Sequence, residues 1–360
     1  MFRLALRTAI AVAVLSLALV AAAPLPGAPP GDSYTVTPLA SDIPGVAPTF
    51  DPNLVNGWGL ARSSTSPWWV ADNGTDKTTI YNGAGVLQMI GGQPFQGVAG
   101  GPTGAVFSGI AGQFQLGTTA SPTTLGTSNF IFVSEDGKIR AWRGGSTAAL
   151  VAASGGTDAI YKGLAIPNGP AGPRLYATDF HNARVDVFDG GWNMMNDPGA
   201  FVDPGLDPGY APFGIQTIGS RVFVTYAKQD ADAEDEVAGQ GRGFVDAYGL
   251  TGTFLGRVAE HGQLNAPWGL AAAPAAFGRF GGDVLVGNFG DGRINAYAEE
   301  ADGTFAPRGT LRDADGKLVI DGLWALEFGN AGANGTPDQL FFTAGPEDES
   351  HGLFGTITAG

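Results

Sequence analysis

The chain has 360 residues, with 34 acidic against 19 basic side chains and a formal net charge of −15. So acidic a sequence, with no run of Lys or Arg, lacks the counterion-releasing surface that nucleic-acid or anionic-membrane binding requires, and no nucleic-acid partner is expected. Glycine contributes 58 residues, about 16% against roughly 7% in ordinary chains; with 44% hydrophobic residues this excludes disorder and describes a packed, turn-dense fold.

Met1 to Ala23 carry Arg3 and Arg7, an apolar stretch from Thr8 to Ala22, and the small-residue run Ala21-Ala22-Ala23 before Pro24. That order predicts a secretory signal peptide over 1–23, its apolar core shorter than the roughly 20 residues needed to cross a bilayer. Cleavage there would remove two Arg and no acid, taking the charge from −15 to −17. Residues 24–33, rich in Pro and Gly, predict a short leader, and 34–360 a single domain with no membrane span. A secreted location follows, extracellular or periplasmic, and a monomer is expected. The chain has no Cys, so disulfides, thiol chemistry and thiolate metal sites are excluded.

Tyr34 to Leu39 alternates in the manner of a strand. Beyond it one phrase recurs six times, a small residue within an apolar triplet: Trp58-Gly59-Leu60-Ala61, Thr103-Gly104-Ala105-Val106, Lys162-Gly163-Leu164-Ala165, Phe213-Gly214-Ile215, Trp268-Gly269-Leu270-Ala271 and Trp324-Ala325-Leu326. The small residues stand at 59, 104, 163, 214, 269 and 325, a period that indicates a radial array. Each copy precedes a β-branched and aromatic run, a polar turn and another alternating run, which is strand chemistry. In the first repeat these are Trp68-Trp69-Val70-Ala71, a turn over 72–76 and Thr78-Thr79-Ile80-Tyr81, with Val86 to Ile90 as a fourth strand. The prediction is an all-β, six-bladed β-propeller of four-stranded antiparallel blades. The sixth repeat stops after three strands, at Leu323 to Phe328, Gln339 to Thr343 and Gly352 to Thr358, so the N-terminal strand 34–39 is expected to complete it and close the ring.

The phrase, followed by an Asp/Asn turn and an Arg-Ile/Val-x-x-Tyr/Phe strand, is similar to NHL-type and gluconolactonase or paraoxonase-like propellers. Asn265 to Ala271, Gly287 to Gly292, Tyr226 to Asp230 and Leu353-Phe354-Gly355 more closely resemble a family of exported, functionally uncharacterised bacterial propellers. The resemblance implies the fold and export and leaves the activity open. The lactonase-type likeness implies a channel Ca²⁺ that polarises an ester carbonyl, although the Glu-Asn-Asn-Asp ligand set of those enzymes has no residue-by-residue counterpart here.

In such a blade the turn between second and third strands lies at the same end as the link to the next blade. That face therefore collects the candidate ligand residues Asn56, Trp58, Asp72, Asn73, Asp136, Asp179, Asn265, Trp268, Asn288, Asp291, Asp321 and Trp324. Asn56, Asn265 and Asp321 just precede innermost strands and are candidates for an oxygen-ligand site for Ca²⁺ at the channel. Asp and Asn equally occupy turns because they hydrogen-bond their own backbone. The long insert of the fourth repeat is acidic, and Asp230, Asp232 and Glu234 form a second candidate metal set or a solvated loop. His181 and His351 fall in opposite blades and are candidates for a general acid and base, or plain turn residues. Trp58, Trp268 and Trp324 fit blade packing or a stacking platform for a sugar ring. Two functions remain open: a binding module at the cell envelope for a small molecule, glycan or envelope protein, or a Ca²⁺-dependent hydrolase of the lactonase or esterase type.

Overall fold

The computed structural model describes residues 33–169, 172–316 and 318–360. The signal peptide expected over 1–23, and all of the leader but Ser33, lie outside the described residues. Six antiparallel sheets follow one another along the chain, and their first strands are Gly57–Ala61, Pro102–Phe107, Tyr161–Ala165, Tyr210–Ile218, Pro267–Ala272 and Leu323–Phe328. These six touch in a closed ring, blade 1 against 2 and so on round to blade 6 against 1. The chain is therefore a six-bladed β-propeller. The last blade is completed by Tyr34–Ser41, which pairs antiparallel with Leu353–Ala359 from Tyr34 opposite Ala359 to Ser41 opposite Leu353.

The recurring small residue has a steric cause. A Cβ on Gly59 would strike the Thr103 carbonyl of blade 2, on Gly104 the Leu164 amide of blade 3, on Gly163 the Phe213 carbonyl of blade 4, on Gly214 the Trp268 carbonyl of blade 5 and on Gly269 the Trp324 carbonyl of blade 6. Near the axis the inner strands approach so closely that one backbone occupies the place of the next blade's side chain. Threonine hydroxyls reinforce the joints: Thr103 Oγ1 donates to Tyr161 O at 2.7 Å and Thr178 Oγ1 to Phe213 O at 2.8 Å. Six apolar clusters fill the wedges, one between each pair of neighbouring blades.

Two departures from the sequence reading concern an outer strand and an added hairpin. In blade 1 the fourth strand is Phe95–Gly97, and Val86 to Ile90 instead forms a loop with single bridges from Tyr81 to Leu87 and from Ile90 to Gln93. Gly91 and Gly92, at φ 61° and 80°, turn the chain back and move the pairing segment downstream. In blade 2 a small hairpin, Gln115–Leu116 against Gly126–Thr127, intervenes between first and second strands.

Candidate functional site

The residue before each small residue lies on the innermost strand of its blade. Trp58, Phe213, Trp268 and Trp324 fill four of the six places and pack together: Trp58 stacks on Trp324 at 3.7 Å between ring centres, and Trp268 meets both edge-on at 6.4 and 5.8 Å. All four are buried, so they plug the channel. A second layer comes from the residue that follows each second strand. Here Phe289 stacks on Trp324 at 4.1 Å, Phe180 packs against Phe213 at 5.3 Å, and blades 1 and 2 contribute Asn73 and Glu135.

Blade 3 breaks the aromatic series with Lys162, whose side chain is only 2% exposed. Its Nζ donates to Glu135 Oε1 of blade 2 at 2.6 Å and to Asp235 Oδ1 of the blade 4 insert at 3.0 Å, and it lies 5.2 Å from the centre of the Trp58 ring. Burial pulls the ammonium pKa down, but attraction to Glu135 and Asp235 outweighs it and leaves the group above its ordinary value. Two further carboxyls sense the same charge. Burial lifts Glu236 to about 8 and Glu349 to about 7, with Lys162 partly offsetting both. Glu349 ends a run of three residues at positive φ, Glu347 at 56°, Asp348 at 51° and Glu349 at 64°. Left-handed backbone costs non-glycine residues roughly 1–2 kcal/mol each, and such strain gathers at functional sites.

Of the residues expected from the sequence, Asn56, Asn73, Trp58, Trp268 and Trp324 meet at this mouth. Asn56 Oδ1 accepts from Trp324 Nε1 at 3.0 Å, Asn56 Nδ2 donates to Asn73 Oδ1 at 3.4 Å, and Asn73 Nδ2 donates to Glu135 Oε2 at 2.9 Å. The other two channel candidates bind elsewhere: Asn265 Oδ1 accepts from Gly239 N at 2.6 Å, and exposed Asp321 accepts from Glu347 N at 2.9 Å. Among the described residues no group of three or more His, Asp or Glu is arranged to hold one ion.

The remaining carboxylates and amides order their own turns. Asp72, fully buried, accepts from the Thr79 amide at 2.7 Å; burial raises its pKa against those hydrogen bonds. Asp136 is gripped by Arg140 at 2.8 and 2.6 Å, which outweighs its partial burial and holds its carboxyl below the usual range. Asp179 accepts from Asn182 Nδ2 at 2.8 Å, and Asn288 Nδ2 donates to Asp291 Oδ1 at 3.0 Å. In the insert, Asp230 accepts from the Glu234 amide at 3.0 Å while Asp232 and Glu234 face solvent, so the acids that reach the axis are Asp235 and Glu236. His351 Nδ1 contacts Asp42 at 2.8 Å, which raises the imidazole pKa, and His181 is half-buried with Nδ1 unpartnered.

Lys162, Glu135 and Glu349 are absent from the candidates read from the sequence, which rest on Asp and Asn in turns, the recurring Trp, the two opposed His and the acidic insert. The available signal was positional: Lys162 stands where four repeats carry Trp or Phe.

The raised carboxyls set a pH dependence. Glu236, Glu349 and Glu327 rise from 4.5 to about 8, 7 and 7, and Asp246 from 3.8 to about 7, burial being the main cause in each. The folded chain keeps protons that the unfolded chain has released, so stability is full below the unfolded values and declines as pH rises through the folded ones. Thermal melts at fixed ionic strength should lose several degrees between pH 5 and pH 8. A midpoint rising over that window would show that these carboxyls ionise normally.

No family model matches the chain. Among solved structures, a streptogramin B lyase aligns at 11% identity and TM-score 0.52, over 92% of this chain and 100% of that one. A gluconolactonase of Xanthomonas campestris aligns at 14% identity and TM-score 0.48, over 92% and 89%. The lyase likeness shows the propeller fold. An uncharacterised protein of Acanthamoeba polyphaga mimivirus is 31% identical over 340 residues, which is 90% of this chain and 80% of the relative. By that relationship the chain belongs to the family of this viral protein, a likeness that carries no assigned activity and does not extend to the bacterial exported family expected from the sequence.

Proposed function

We propose that the protein is a binding propeller whose ligand sits at the top of the axis, over Lys162 and the carboxylates around it. One observation carries the reading: a charged amine takes an aromatic slot in a plugged core, at a desolvation cost that ring closure does not require. Glu135 and Asp235 alone outnumber Lys162, and Glu236 and Glu349 add hydrogen-bonding carboxyls, so the mouth suits a small cationic or hydroxyl-rich ligand, glycans included. The reading places the mature protein outside the cytoplasm, on the strength of the N-terminal sequence. Among the described residues no helix is long and apolar enough to cross a membrane.

The test is a thermal-shift screen of amines, polyols and oligosaccharides against the native chain and Lys162→Met. Ligand at 100 times its Kd adds about 2.7 kcal/mol, a rise of roughly 4 °C for a domain of this size. Hits that lose their shift in Lys162→Met support the reading, and the absence of any such hit removes it.

The second reading, a Ca²⁺-dependent hydrolase, is favoured by the carboxyls lifted toward neutrality at the same mouth, where a general acid would be poised. It expects a calcium-specific rise of several degrees over EDTA, together with EDTA-sensitive turnover of lactones or aryl esters. Failure of both leaves the binding reading alone.

A further inference from the structure

The fourth strand of blade 3 is only Met194–Met195, against Leu150–Ser154, Phe254–Glu260 and Phe305–Thr310 in blades 2, 4 and 5. Residues 196–209 then run as turns to the first strand of blade 4. The shortened strand leaves the third strand of blade 3 uncovered, and a cavity of about 650 Å³ opens between blades 3 and 4. That volume lies within the range of small-molecule sites. The connecting segment is a fixed wall. Phe201 N donates to Gly252 O at 2.8 Å, its ring packs on Tyr176 at 4.7 Å and Tyr248 at 5.1 Å, and Asp203 pairs with Arg257.

The cavity combines two chemistries. Met194, Met195 and Val202, three of the exposed large apolar side chains, gather around it with Leu206. Its lining also holds Asp186, Asp197 and Asp203 against one cation, Arg184. Arg184 is already committed, with Nε 2.7 Å from Asp186 Oδ1 and Nη2 3.4 Å from Asp179. Asp186 is nearly buried and also accepts from Tyr161 OH at 2.7 Å. Behind the wall Asp246 is paired with Arg257 at 2.5 Å and accepts from Tyr248 OH. Three carboxylates of the lining thus stand against Arg184 within it and Arg257 behind it, an excess of negative charge in a partly apolar cleft, where low dielectric strengthens attraction for a cation.

We propose that this cleft is a ligand site, separate from the axial mouth, for an amphipathic organic cation: an ammonium or guanidinium beside the exposed Asp197, with the paired carboxylates Asp186 and Asp203 behind it, and its hydrocarbon body against Met194, Met195 and Val202. It is independent of the function proposed for Lys162.

Three probes of equal chain length test it by calorimetry: hexyltrimethylammonium, hexanol and hexanoate. The cation should bind once per chain, at least tenfold more tightly than either of the others. Asp197→Lys and Val202→Lys, both at exposed positions, should each weaken it at least tenfold with an unchanged melting temperature, whereas Lys162→Met should not alter it. Equal binding of hexanol would mean an apolar groove without charge recognition, and binding unaffected by the two cleft variants would place the site elsewhere. Either result, or no binding of the cation at millimolar concentration, overturns the proposal.

Discussion

Gly214→Ala is expected to cost about 3 kcal/mol, the upper end of the usual penalty for overpacking, and to lower the melting midpoint by roughly 4 °C. A methyl at this position runs into the carbonyl of Trp268, with Thr225 Oγ1 2.9 Å away. The obstacle is backbone of the next blade, so no rotamer change relieves it; blade 4 has to move outward against its neighbour. Gly144→Ala is the control. No heavy atom lies within 4 Å of a methyl placed there and its φ is ordinary, so its effect should stay within about 0.5 kcal/mol. Urea unfolding of both variants at pH 6 decides the matter. Equal stabilities would mean that the inner strands are less tightly apposed than described, and the steric explanation of the six-fold phrase would fail with them.

That explanation is also why the fold was legible in the sequence. A place where a side chain would meet the backbone of the next blade leaves a glycine on five blades and Ala325 on the sixth, and six marks count the blades. The ring closure was legible because Tyr34 to Leu39 alternates as strands do while the sixth repeat stops one strand short. The outer strand of blade 1 was not legible. Edge strands carry a weak pattern, and the pairing of Phe95–Gly97 in place of Val86 to Ile90 depends on the turn at Gly91 and Gly92. The candidate site was half legible. Asn56 and Asn73 do reach the mouth, but an Asp in a turn has the same signature whether it faces a ligand or its own backbone, and Asp72, Asp136 and Asp179 face inward onto Thr79, Arg140 and Asn182. What distinguishes Lys162 is the neighbours that its blade brings to it, and those come from blades 1, 2, 4 and 6.

Lys162→Met tests whether that cluster serves the ring or a ligand, through the pH dependence of stability. The methionine fits the aromatic slot and removes the desolvation cost of a buried ammonium. The partners left behind are not stranded, because Glu135 and Asp235 side chains are 34% and 71% exposed. Losing the lysine removes the charge that opposes burial at Glu236 and Glu349, so their folded values should climb further above 4.5. The variant should therefore match or exceed the native chain at pH 5, where these carboxyls are protonated in the fold. It should fall behind as pH rises, by about 2 kcal/mol at pH 8, a Coulomb energy for partly buried charges reduced for solvent screening. Denaturant titrations of both chains at pH 5, 6.5 and 8 would show two curves that cross. A deficit of about 3–5 kcal/mol at every pH, the cost of breaking a buried pair, would instead make Lys162 a structural member of the ring, and the axial mouth would lose its claim to be the binding site.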